Sequence, residues 1–264
     1  MTRIVTIVQA RYPSTRLPGK ILLPIVGEPL LVRMVRRVQA AKLVGDVVVA
    51  STTDPADDVT EALCRHAAIP CYRGHPLDLL DRHYQCAKAY AADVALKIPS
   101  DCPLIDPAVI DRVIDRFIRS SVDYASNLHP PSYPDGQDVE VIALPALERA
   151  WKQATKDFER EHTTPYIWER PEHFRMLNVE WETGLDYSMT HRLTIDYRED
   201  YELIRQIYEH LLPKTPLFGL PDIIELLERK PELREINARY VGVNWYRHHL
   251  DSLKTIRPEQ TKVI

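Results

Sequence analysis

The run Ile4-Val5-Thr6-Ile7-Val8 constrains this chain most, because four of its five side chains are apolar and β-branched and leave almost no face for water. A stretch of that kind suits a strand covered on both sides, as in a parallel sheet held between helices. Such a strand needs partner strands and crossover helices, and the next residues supply both. Leu30, Leu31, Met34, Val35 and Val38 fall at helical spacing, with Arg33, Arg36 and Arg37 turned outward. Further strands are expected at 46–50, 68–72, 94–98 and 122–125, separated by helical patterns around 59–67, 77–92 and 107–118. This alternation over the first ~125 residues predicts an α/β fold, a doubly wound and mostly parallel nucleotide-binding sheet.

Around residue 127 the alternation breaks, and Pro130, Pro131 and Pro134 crowd a loop. Residues 138–143 then alternate with period two, 145–155 and 160–169 read as helices, and 175–181 reads as a strand. We therefore expect 127–190 to be a small inserted α+β subdomain within a single domain spanning 1–264. Residues 191–196 return to core-strand character. Helices at 199–211, 221–229 and 231–236 follow, so that 213–264 is a C-terminal helical extension, its charged end frayed from about Asp251.

The balance of 34 basic and 38 acidic residues gives a formal charge of −4, which offers nucleic acid no general attraction. No apolar run approaches the ~20 residues of a membrane span, and no signal-peptide pattern follows Arg3, so a cytoplasmic protein is expected. Cys64, Cys71, Cys86 and Cys102 form no C-x-x-C pair, and the ten histidines include no H-E-x-x-H. Reduced thiols and no zinc are the expectation.

Directly after the first strand, Arg11, Arg16 and Lys20 are spaced through a loop with Pro13, Pro18 and Gly19. In open α/β sheets the carboxyl edge of the strands is where ligands bind. Arginine presents a planar fork to phosphate oxygens and lysine a compact point charge, so the loop reads as a polyphosphate cradle. Gly19 would let backbone amides approach those oxygens. A solvated basic loop is the bland alternative, since such residues are usually exposed. The loop is neither a Walker A motif nor a dinucleotide fingerprint.

The eleven residues Ala10-Arg11-Tyr12-Pro13-Ser14-Thr15-Arg16-Leu17-Pro18-Gly19-Lys20 closely resemble the N-terminal signature of the cytidylyltransferases that activate acidic sugars. These are the acylneuraminate and 3-deoxy-manno-octulosonate CMP-sugar synthetases. The likeness is closest to the branch named for a spore-coat polysaccharide biosynthesis protein. It implies a nucleotide-diphospho-sugar transferase-like sheet, with CTP bound by Ala10, Arg11, Ser14, Lys20, Arg73 and Ser100. Arg73 would approach the cytosine, beside backbone near Ala10 and the hydroxyls of Ser51 or Thr52; a surface arginine next to Gly74 is the alternative.

Asp101, in a stretch resembling the family's D-x-P-L-I turn, and Asp196, in one resembling I-D-x-x-E-D-[LY], would hold Mg2+. Without the likeness, Asp101 reads as a turn or cap residue and Asp196 as a helix cap. Gln137, Asp138 and Glu140 would meet sugar hydroxyls, and Arg160 or His162 an anionic acceptor; a strand turn and a capping arrangement are the respective alternatives. The 127–190 segment would close over the sugar and build a homodimer interface. The reaction implied moves CMP from CTP to the hydroxyl of a nonulosonate- or octulosonate-like acidic sugar, releasing pyrophosphate, for surface polysaccharide or glycan biosynthesis. Arg11, Arg16, Lys20 and Asp101 would carry the catalysis. The rivals are a glycosyltransferase consuming a sugar nucleotide, whose usual D-x-D motif is absent, and a non-catalytic nucleotide-binding protein.

Overall fold

A computed structural model describes residues 2–264. Strand β1 (Ile4–Gln9) is buried on both faces: Ile4 and Val8 enter one hydrophobic core, Val5 and Ile7 another. A short ribbon of β2 (Pro24–Ile25) and β3 (Glu28–Pro29) leads into helix α1 (Leu30–Gln39). Then β4 (Asp46–Thr52), α2 (Asp58–His66), β5 (Cys71–Gly74), α3 (Leu79–Ala89), β6 (Val94–Pro99) and α4 (Pro107–Ile118) alternate. Caps fix the helix starts: Asp78 accepts from Asp81 N at α3, and Asp106 accepts from Ala108 N at α4 with Pro107 in the first turn.

The second half supplies β7 (Tyr124–Ser126), β8 (Glu140–Ala143), α5 (Leu144–Gln153), α6 (Asp157–His162), α7 (Pro165–Trp168) and β9 (Met176–Asn178). Helices α8 (Arg198–Leu211), α9 (Leu220–Arg229) and α10 (Glu232–Glu235) follow. Seven strands form one sheet in the order β5-β4-β1-β6-β8-β7-β9, in which β8 alone runs antiparallel to its neighbours. Strand order reverses between β1 and β6, and in such sheets the ligand crevice opens outside the strand carboxyl ends at that point. Residues 127–190 contribute β8 and β9 to this same sheet, with β8 inserted between β6 and β7.

Three local expectations need correction. The 160–169 helix is two short ones, because Thr163 has φ of 74° and no α-helix continues through that value. Residues 191–196 make no ladder; one bridge pairs Arg192 with Asp135, and the remaining backbone bonds go to loops. Leu193 and Ile195 are buried there, which explains the strand-like pattern. The chain end is packed, not frayed: Leu253, Ile256 and Thr261 are all buried. Among the described residues, no helix is long and apolar enough to cross a membrane.

Candidate active site

The loops that leave β1 and β6 face a common cleft of about 570 Å3. The β1 loop folds around Tyr12, whose amide donates to Asp57 Oδ1 at 2.6 Å. Gly19 N donates to Tyr12 O at 3.2 Å, and Gly19 holds φ of 67°. A Cβ on Gly19 would stand 3.0 Å from the Tyr12 ring. The glycine therefore serves close packing inside the loop, and its amide is already engaged.

Lys20 sits between two carboxylates. Its Nζ donates to Asp196 Oδ1 at 3.1 Å and to Ile195 O at 2.6 Å, and lies 4.0 Å from Asp101 Oδ2. Arg16 Nη2 is 2.6 Å from Asp196 Oδ1, and Arg192 Nη2 is 3.4 Å from Oδ2. Burial alone would raise the Asp196 pKa, but Lys20, Arg16 and Arg192 outweigh it and hold the carboxyl well below its ordinary value. The Asp101 side chain is 35% exposed, open to the cleft beside Lys20. The backbone ties the two acids together, since Ile195 N donates to Asp101 O at 2.9 Å.

Arg192, which the sequence reading passed over, organises the floor. It is buried and donates through Nε to Asp200 Oδ1 at 2.9 Å, and through Nη1 to Asp135 Oδ2 at 3.0 Å and Val243 O at 2.8 Å. Asp200 also accepts from the amides of Asp196 and Tyr197, capping α8.

Arg82 was missed as well. It projects from α3 into the cleft wall, is 4% exposed, and leaves Nε and Nη1 without a hydrogen-bond partner. Burial, then the like charge of Arg11, pull its pKa down to about 10. Nothing local in the sequence marks one helical arginine as buried.

Of the expected residues, Ala10, Arg11, Ser14, Arg16, Lys20, Ser100, Asp101 and Asp196 line one side of this cleft. Gln137, Asp138, Glu140 and His162 line its other side. Two arginines do not reach it. Arg73 is held by Thr52 O at 2.7 Å, Asp58 at 2.7 Å and Glu61 at 2.9 Å, while the Thr52 hydroxyl donates to Asp57. Arg160 is held by Asp78 at 2.5 Å and Trp151 O at 3.0 Å.

Others arrive with their polar atoms occupied. Gln137 accepts from Asp106 N at 2.9 Å and donates to Leu104 O at 3.0 Å. Glu140 pairs with Lys97 and accepts from the Tyr124 hydroxyl. His162 stacks on Trp245 with ring centroids 3.8 Å apart, and burial pulls its pKa down to about 3. A neutral imidazole offers no charge to an anionic acceptor. Asp138 accepts only a 3.3 Å bond from Gly136 N, and burial followed by the charge of Asp101 pushes its carboxyl up to about 7.

Comparison with known proteins places this geometry. Residues 5–215 match the cytidylyltransferase family. The chain is 32% identical over 236 residues to the spore coat polysaccharide biosynthesis protein SpsF of Bacillus subtilis, a match covering 88% of this chain and 97% of that protein. A solved cytidylyltransferase from Leptospira borgpetersenii is 33% identical with a TM-score of 0.83, covering 88% of this chain and 97% of that one. A CMP:2-keto-3-deoxy-manno-octonic acid synthetase complexed with CTP superposes with a TM-score of 0.59 at 16% identity, over 80% of this chain and 99% of that one, a likeness of fold. With a buried, mostly parallel sheet, a basic loop at its switch point and a family match over most of its length, this chain belongs to the cytidylyltransferases and is a nucleotidyltransferase.

Proposed function

We propose that the enzyme transfers CMP from CTP to a hydroxyl of an acidic sugar and releases pyrophosphate, in surface polysaccharide or glycan biosynthesis. The observation that carries this reading is the convergence of Lys20, Asp101 and Asp196 at the carboxyl edge of β1 and β6. The likeness to a polysaccharide biosynthesis protein over most of the chain supports the pathway.

Arg11, Arg82 and Lys20 receive the triphosphate, with Arg16 beside them. The acceptor oxygen bonds to the α-phosphorus, the bond to the bridging oxygen breaks, and its electron pair leaves with pyrophosphate. The hydroxyl proton passes to solvent. Negative charge grows on the leaving group, and fixed cations beside it lower the barrier. Ser14 and Ser100, at the same edge, are proposed nucleotide contacts. Asp138, with a carboxylate still able to accept, is the proposed contact for sugar hydroxyls.

Among the described residues, no three His, Cys, Asp or Glu side chains form a metal cage. The donor set nonetheless fits Mg2+, which takes one or two carboxylates and completes its shell with phosphate oxygens and water. Asp101 and Asp196 already flank one positive charge, the Lys20 ammonium, at 4.0 and 3.1 Å. When bound there, the ion would neutralise phosphate charge and polarise the α-phosphate.

The test is pyrophosphate release in the presence of Mg2+, with each of four nucleoside triphosphates offered against a panel of acidic sugars. Release requiring CTP and one sugar is the expected outcome. Release with another triphosphate would overturn the base assignment, and absence of both release and CTP binding would remove the reading.

A further inference from the structure

Past the family match, which ends at residue 215, the chain returns to the cleft. Val243 O accepts from Arg192 Nη1 at 2.8 Å, and Gly242 O accepts from Lys262 N at 2.7 Å. Downstream, the amides of Lys254 and Thr255 donate to the buried Glu169 carboxylate at 2.6 and 2.9 Å. A short helical turn, Trp245–His248, is thus pinned on both sides by buried groups, and it stands in the cleft wall. Trp245 is half-buried, stacked on His162 with an interplanar angle of 14° and set edge-on to Tyr246 at 4.7 Å.

We infer that residues 243–249 form the acceptor-binding wall and that Trp245 is a specificity-determining residue for a carbohydrate acceptor. This rests on the nucleotidyl-transfer reading above. The chemistry of the wall selects the ligand class. The buried cations beside it in the cleft are already paired, Lys97 with Glu140 and Arg192 with Asp135 and Asp200. A phosphorylated acceptor, or a second nucleotide, would find no counter-charge deep in this end. What the wall offers is the part of the Trp245 indole not stacked on His162, and the cleft beside it adds the unfilled acceptor sites of Asp138. A polyhydroxylated ring fits both: its C–H face lies on Trp245 and its hydroxyls donate to Asp138. An anionic substituent on that ring would point to the rim, where Arg247 is half-buried and anchored through Nη1 on Asn244 O at 3.1 Å.

The experiment follows the emission of Trp245, isolated from the other tryptophans as the difference between the wild type and Trp245→Phe. The probes are CTP with Mg2+, then N-acetylneuraminate and 3-deoxy-manno-octulosonate. The expected result is a signal change on adding a sugar and none on adding CTP. Trp245→Ala should raise the acceptor KM by about tenfold or more, with CTP affinity within about twofold of wild type and Trp245→Phe close to normal. Sugars that leave the Trp245 signal unmoved overturn the inference, as does a Trp245→Ala loss that appears in CTP affinity. Failure of the parent reading is distinguishable, because it removes CTP binding and pyrophosphate release whatever the sugar does to Trp245.

Discussion

The two ends of the cleft follow opposite electrostatic plans. At the end proposed for the nucleotide Lys20 and Arg16 share Asp196, but Arg82 feels the like charge of Arg11 and two of its buried nitrogens lack partners. At the end proposed for the acceptor Lys97 is matched by Glu140, and Arg192 by Asp135 and Asp200. A buried charge without a partner is costly, and an incoming anion relieves that cost. A balanced network gains nothing from a further charge; it holds shape. On the proposed reading, the unpartnered nitrogens of Arg82 gain most from an incoming phosphate, and the balanced network holds the ring of the acceptor in place.

Arg192→Ala would break the balanced end, leaving Asp135 and Asp200 without their cation. The expected loss is about 3–5 kcal/mol of unfolding free energy, read by urea denaturation. A loss below about 1 kcal/mol would mean that this network does not hold the floor.

Asp101→Ala asks about chemistry at the other end. Turnover should fall by a factor on the order of 10^2 to 10^3 with the unfolding midpoint unchanged, because the side chain is open to the cleft. Near-normal pyrophosphate release would remove Asp101 from the proposed metal site.

Arg82→Met sharpens the comparison, since binding and stability should move in opposite directions. CTP affinity, measured by calorimetry, should weaken by about 1.5–3 kcal/mol, the worth of hydrogen bonds to a charged group. The melting temperature should hold or rise, because the apolar side chain removes a buried unpaired charge. A lower melting temperature would make Arg82 part of the scaffold.

Acid should loosen the acceptor end. Burial pulls His129 and His162 down to about 4 and about 3, below an ordinary 6.5. A depressed folded-state pKa means the unfolded chain binds the proton first, so this contribution is complete above pH 6.5 and is lost as pH falls toward about 4. Unfolding free energy should fall across that window, and His129→Phe should flatten the slope. An unchanged slope would show that His129 does not titrate with folding.

The smallest effect is expected for Arg73→Ala. Its partners Asp58 and Glu61 are exposed, so stability should change by about 0–1 kcal/mol, with CTP affinity unaltered. A tenfold loss of CTP affinity would return Arg73 to base recognition.

The sheet and its edge can be read from local signals along the chain. A β-branched run, helical spacing and cap residues are local signals, and β1, α1, β4 and α4 follow them closely. The basic loop was legible because it directly follows β1, whereas Asp101 stood out only through its likeness to the family's D-x-P-L-I turn. Which polar groups are free depends on the folded chain. Arg73 and Arg160 look as capable as Arg82 in the chain, yet acids near in space claim them. Residues 191–196 read as a strand because Leu193 and Ile195 are buried, but their partners are loops and not a ladder. Lys20 meets Asp196 across 176 positions and Arg192 meets Val243 across 51. Whether a charge is paired or waiting for a ligand depends on such distant partners. No periodicity along the chain encodes it.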